Sequence, residues 1–213
     1  MPDKIYVFKD IDDAVFKLKK YNSHFILPVK DYDKKEIIIN SATGSIFRAL
    51  SGNSFKPSSI YRTWADGKFN SIIYSLGKIN TQNEYDNIIY FLNNSLIKFW
   101  RKKSDGKNIS YGPASKLVNL LIKLIQETKK YSLKKIFKFQ HIPFDSFTLR
   151  PLGLIINDLT SVAFNINIPK GASMNYIMFP EQYKILQIAI SNLSKKAKIN
   201  PIIYEYWCWN DKH

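Results

Sequence analysis

Apolar residues recur at helical spacing along most of this chain. The pattern is clearest over residues 81–100, where Ile88, Leu92, Leu96 and Phe99 return every three or four positions. Thr81 and Glu84 open that segment as a capping-box pair, each able to satisfy a free amide of the first turn. Arg101-Lys102-Lys103 closes it, where positive charge complements the carboxyl end of the helix dipole. Residues 112–129 predict the next helix, with Leu117, Val118, Leu121, Leu124 and Ile125 as its apolar stripe. Pro113 suits the first position of that helix, because its missing N–H would be unpaired there anyway. Ser104-Asp105-Gly106-Lys107-Asn108 reads as the turn between the two.

Three further helices follow from the same period. Residues 10–21 carry Ile11, Val15, Phe16 and Leu18 on one side, with Asp10 as the cap. Residues 58–76 carry Ile60, Trp64, Ile72 and Ile73, weakened by Gly67. Residues 181–197 turn Ile185, Leu186, Ile188, Ala189 and Leu193 inward. Residues 25–39, which contain Pro28, read as a strand or extended loop, and 162–168 alternate like a short strand. Residues 132–140 are basic and amphipathic, and 147–159 are broken by Pro151 and Gly153. The aromatic tail 201–209 is expected to dock on the core. The expected class is mainly α with minor strand or extended segments. Residues 1–213 form one domain, with room for two lobes of roughly 1–105 and 106–213.

Composition narrows the function. A chain of 213 residues with 45% hydrophobic and 15% aromatic content has enough apolar surface to fold. Its 32 Lys and Arg against 17 Asp and Glu give a formal charge of +15. Only Arg48, Arg62, Arg101 and Arg150 are arginines, so the field is mostly lysine point charge. Such a field attracts phosphate backbones or anionic lipid. A lysine-, asparagine- and isoleucine-rich composition also arises from an AT-rich genome, which leaves a charge without a polyanionic partner. The single cysteine, Cys208, excludes an internal disulfide, a four-cysteine iron–sulfur cluster and a cysteine zinc site. Met1-Pro2-Asp3-Lys4 leads into no signal-peptide pattern, and no apolar run approaches a bilayer span. A cytoplasmic protein without a membrane partner is the expectation.

Several constellations carry little chemistry. His24, His141 and His213 lie far apart in sequence, which disfavours a histidine metal site or a Ser-His-Asp triad. No glycine loop of a nucleotide-binding kind is present. Asp31, Asp33 and Glu36 mimic a nuclease cluster, but Lys34 and Lys35 interrupt them and favour a solvated turn. No cofactor or metal is expected.

Two segments stand out against this background: Ser110-Tyr111-Gly112-Pro113-Ala114-Ser115-Lys116 and His141-Ile142-Pro143-Phe144-Asp145. The first puts a lysine in the opening turn of a helix, and the second puts a carboxylate at the mouth of the next. An amine attacks carbon only when neutral, while free lysine titrates near about 10.4. The partial positive charge of a helix start and desolvation beside Tyr111 and Leu117 both work against an ammonium. Asp145 can cap a helix, and the same group can support positive charge developing on a sugar carbon.

Together these segments resemble the helix-hairpin-helix DNA glycosylases, in particular the 8-oxoguanine glycosylase branch. In that family a glycine-bearing hairpin leads into a helix with an early lysine nucleophile, and a later Val/Ile-Pro-x-Asp supplies the essential carboxylate. The resemblance spans roughly residues 84–156, about a third of the chain. It departs from the family in having one hairpin glycine, Gly112, instead of two. Lys116 and Asp145 are also 29 residues apart (145 − 116), longer than is usual in the family, which implies an insertion around 129–138.

The resemblance implies a helical glycosylase architecture with two lobes around a cleft and DNA as the partner. It implies Lys116 and Asp145 as catalytic residues. Tyr111, Gly112, Ser115, His141 and Phe144 would line the substrate site, and Trp207 or Trp209 could wall the pocket or fill the vacated stack. The activity would be removal of a damaged or modified base, with strand nicking as a further step. The competing readings are a non-catalytic, basic DNA- or RNA-binding protein, for instance in a phage or mobile-element conflict, and a helical partner-binding protein.

Overall fold

The computed structural model describes residues 8–42, 46–47, 50, 56–131, 133–160 and 166–210. The chain is mainly helical, and among the described residues the only β pairing is an isolated parallel bridge between Lys30 and Thr128. It divides into two compact units. One is built from Met1–Ile26 together with Gln140–His213, and the other from Leu27–Phe139. The lobe boundary expected near residue 105 instead lies inside the second unit. There the turn closes a packed pair of helices, so it is not a linker.

The Leu27–Phe139 unit holds α2 (Lys34–Asn40), α3 (Pro57–Lys78), α4 (Gln82–Lys103) and α5 (Tyr111–Glu127). Asp33 and Glu36 form the capping box of α2, so the acidic cluster of residues 31–36 is a helix start. The extended reading of 25–39 holds only up to that cap. Thr81 and Glu84 form the capping box of α4 as expected. Helix α3 packs on α2 and α4, and α5 packs on α2 and α4. Every residue of α5 except Leu120 and Lys123 is buried, the polar Ser115, Lys116, Asn119, Gln126 and Glu127 included. Tyr61 of α3 is fully buried, donates to the Leu117 carbonyl at 3.4 Å and bonds the Ser41 hydroxyl at 2.6 Å. Burial pushes its phenol well above the ordinary tyrosine range. Within the basic, amphipathic stretch 132–140, residues 134–136 form a short 3₁₀ turn.

The other unit holds α1 (Ile11–Asn22), α6 (Ser146–Leu149), α7 (Ile156–Leu159), α8 (Pro180–Ala197) and α9 (Pro201–Asn210). Asp10 caps α1 by accepting the Asp13 N–H at 2.8 Å. Helix α1 packs on α8 and α9, α7 on α8, and α9 on α6. Leu18 is fully buried, but Phe16 is 66% exposed, so the apolar side of α1 is narrower than the sequence implied. Ile188 of α8 is likewise 42% exposed, while Tyr183 and Gln187 take inward positions. The aromatic tail is α9, buried from Ile202 to Cys208, with Trp207 stacked on Phe8 at 4.7 Å between ring centroids. Residues 166–168 are irregular. The rest of the strand expected at 162–168 lies outside the described residues, apart from these three, as do Arg48 and His213.

Candidate functional site

The lysine segment begins at the turn after α4. Ser104 Oγ donates to the Lys107 carbonyl at 2.7 Å, and the Gly106 N–H donates to the Arg101 carbonyl at 3.1 Å. Asp105 and Gly106 are left-handed, with φ of 51° and 83°. That conformation is what favours glycine at 106. Gly112, expected at the hairpin, lies within α5 and has no positive φ. The helix starts at Tyr111, so Pro113 is its third residue and not its first. The proline is still harmless there, because the first four N–H groups of a helix have no partner within it.

That shift changes the setting of Lys116. It occupies the sixth position of α5, in the second turn, and the field of a helix terminus fades within one turn. Burial therefore sets its environment more than the dipole does: Lys116 is 8% exposed. Lysine is among the residues least often found buried. Its neighbours in the sequence are fixed. Tyr111 Oη accepts a hydrogen bond from Asn93 Nδ2 at 3.0 Å, and Ser115 Oγ donates to the Gly112 carbonyl at 2.9 Å. Tyr111, Gly112, Ser115 and Lys116 thus share the first two turns of one buried helix.

The aspartate segment belongs to the other unit. It is held to α8 by two side chains one turn apart. Tyr183 Oη lies 3.0 Å from His141 Nδ1, and the rings of His141 and Phe144 both meet Tyr183 edge-on. Gln187 takes the Ile142 N–H at 3.2 Å and returns a hydrogen bond to the Ile142 carbonyl at 2.8 Å. Phe144 is 1% exposed, so in this state it packs in the core. Trp209 packs edge-on against Phe147 at 4.9 Å.

Asp145 is 7% exposed and caps α6. Its Oδ1 accepts the N–H groups of Phe147 at 2.8 Å and Thr148 at 3.1 Å. Tyr204 of α9 donates to the Thr148 carbonyl at 2.7 Å. Burial raises the Tyr204 phenol well above its usual range, and the neighbouring Cys208 and the Asp145 charge push the same way. The carboxylate is oriented by backbone amides on one side and by α9, through Thr148, on the other.

Tyr183, Gln187, Thr148 and Tyr204 were not singled out by the sequence. Thr148 had a visible signal, a hydroxyl three residues after a capping Asp. The other three are brought in from 39 to 59 residues away (183 − 144, 204 − 145), and only folding reveals them. Among the described residues, no group of three His, Cys, Asp or Glu is placed to hold a metal ion. No helix among them is long and apolar enough to cross a membrane.

Compared with models of known families, with curated proteins and with solved structures, the chain matches none.

Proposed function

We propose that the protein is a DNA glycosylase with AP lyase capacity, using Lys116 as nucleophile and Asp145 as the supporting carboxylate. The observation that carries this reading is the burial of Lys116, 8% exposed in a helix of which nearly every residue is buried. A desolvated lysine is the kind that serves as a carbon nucleophile. The held geometry of Asp145 supports it, because a fixed carboxylate stabilises developing positive charge without reorganising during the reaction. The charge of +15 supports a polyanionic substrate.

The chemistry runs on a nucleotide rotated out of the duplex. The Lys116 Nζ lone pair bonds to C1′ of the sugar as the bond from C1′ to the base breaks. The electron pair of that bond leaves with the base, which takes up a proton. Loss of an amine proton and opening of the C1′–O4′ bond, with a proton to O4′, give an iminium. Asp145 supports the positive charge on the sugar while the base departs. Removal of a C2′ proton then expels the 3′ phosphate and nicks the strand.

Borohydride trapping on duplexes bearing a panel of damaged bases tests the reading. Wild type is expected to give a covalent adduct, and Lys116→Gln is expected to give none while holding DNA as tightly. An equal adduct from Lys116→Gln removes the lysine from the mechanism. Tight, salt-sensitive DNA binding by a wild type that neither traps nor releases a base makes the protein a binder and not an enzyme.

A further inference from the structure

The outer face of α4 is not used by the chemistry proposed above. Asn87, Phe91, Asn94, Lys98, Arg101 and Lys102 recur along it at spacings of three and four, which puts them on one side of the helix. Phe91 is 62% exposed, and Asn87, Lys98, Arg101 and Lys102 are exposed as well. From Asn87 to Ser104 the chain contains no Asp or Glu. The cations near its end therefore face no carboxylate of their own helix.

Helix α3 completes the arrangement. Trp64 Nε1 donates to Ser95 Oγ at 3.1 Å, and Lys68 Nζ stands 5.9 Å from the centre of the Phe91 ring. Those two contacts fix the register of α3 against α4 and put a further positive charge beside the exposed ring. The basic helix α1 differs. Its Lys17 is paired to Asp13 at 2.7 Å, and Asp12 stands in its first turn.

We infer that this face of α4 is a contact surface for single-stranded nucleic acid, with Phe91 as a stacking platform and Lys98, Arg101 and Lys102 on the phosphates. Every base offers a π face to an exposed aromatic ring, and a cationic track beside the ring holds the backbone without reading sequence. From Phe91 to Lys102 the helix rises roughly 16 Å, enough to follow a strand past one stacked base. A protein partner would meet a face with amides and cations around the exposed rings of Phe91 and Tyr90. A nucleic-acid strand supplies both the negative charge and the flat apolar surface that this face lacks. The inference does not depend on Lys116 or Asp145.

Fluorescence anisotropy with a labelled oligothymidylate and the full chain tests it. Phe91→Ala is expected to bind about fivefold or more weakly with an unchanged salt slope. The triple change Lys98→Gln, Arg101→Gln and Lys102→Gln is expected to flatten the slope of log affinity against log salt by about 2. The control is Lys17→Gln, Lys19→Gln and Lys20→Gln on α1, with the same change in charge. Equal loss from the α1 control overturns the proposal, as does wild-type affinity in Phe91→Ala or no binding by wild type. Stronger, equally Phe91-dependent binding of a matched duplex overturns the assignment to a single strand. Lys116→Gln is expected to bind this oligonucleotide as wild type does, which keeps the outcome separate from that of the glycosylase test.

Discussion

Asp145 and Thr148 cap α6 reciprocally. The Asp145 carboxylate accepts the Thr148 N–H at 3.1 Å, and Thr148 Oγ1 accepts the Asp145 N–H at 2.8 Å. The same carboxylate thus has a structural duty and, in the proposed mechanism, a chemical one. Asn caps a helix about as well as Asp does. Asp145→Asn is therefore expected to change unfolding free energy by less than about 1 kcal/mol. It is expected to lower base release by about 100-fold or more, the usual cost of removing one fixed electrostatic group. Urea denaturation and single-turnover base release measure the two effects. Parallel losses in both would reduce Asp145 to a cap.

Gln187 is the clamp that positions the aspartate segment. It is 6% exposed, and both ends of its amide are spent on the Ile142 backbone. Gln187→Ala leaves a buried N–H and a buried carbonyl without that partner, and each such loss costs about 1–3 kcal/mol. A destabilisation of at least about 2 kcal/mol is expected in urea denaturation. Gln187→Glu sets a charged acceptor against the Ile142 carbonyl at neutral pH, so it is expected to destabilise at least as much as Gln187→Ala. A Gln187→Ala protein as stable as wild type would mean that water replaces the clamp.

The parts of the fold set by neighbours in the sequence were legible, and the parts set by distant contacts were not. The cap of α4 by Thr81 and Glu84 is written within four residues of the sequence. Pro113 signals a helix start, but Ser110 and Tyr111 already adopt the geometry that begins α5. That moved Lys116 out of the first turn. Phe16 and Ile188 fit the helical period yet face solvent, because what packs against α1 and α8 is decided elsewhere in the chain. The Lys116 segment and its left-handed turn are local features. Asp145 is local as a cap, but Gln187, Tyr183 and Tyr204, which fix its surroundings, carry no signal at their own positions. One unit is also assembled from two stretches far apart in the sequence, up to Ile26 and from Gln140 on, a pairing that no local pattern encodes.

Gly67 lies inside α3, and a Cβ built there meets nothing within 4 Å. No close contact or positive φ demands glycine at that site. Glycine pays extra backbone entropy in a helix, so Gly67→Ala is expected to stabilise the protein by about 0.4–1 kcal/mol. A raised thermal midpoint with unchanged DNA affinity is the expected result. A lowered midpoint would show that the helix bends at Gly67 for a reason its surroundings do not reveal.

Glu84 gives the fold a pH dependence whose sign can be worked out. Its Oε2 accepts the N–H groups of Asn80 at 2.7 Å and Thr81 at 3.0 Å. Those bonds, the one from Asn80 foremost, favour the ionised carboxylate and hold Glu84 below its ordinary range. Its folded value is therefore lower than its unfolded one, which lies near about 4.3. Above that pH the stabilisation is fully present, and it is lost as pH falls through the folded value. Asp13 acts in the same direction, lowered first by its hydrogen bond from Lys17. Glu84→Gln keeps an oxygen able to accept from the same amides but carries no titrating charge. Wild type is thus expected to be more stable than Glu84→Gln at pH 7, with the gap closing as the pH falls below about 4.3, the unfolded carboxylate's value. Thermal midpoints measured down through that value check it. A gap that stays constant as the pH falls would show that the charge of Glu84 adds nothing to the cap of α4.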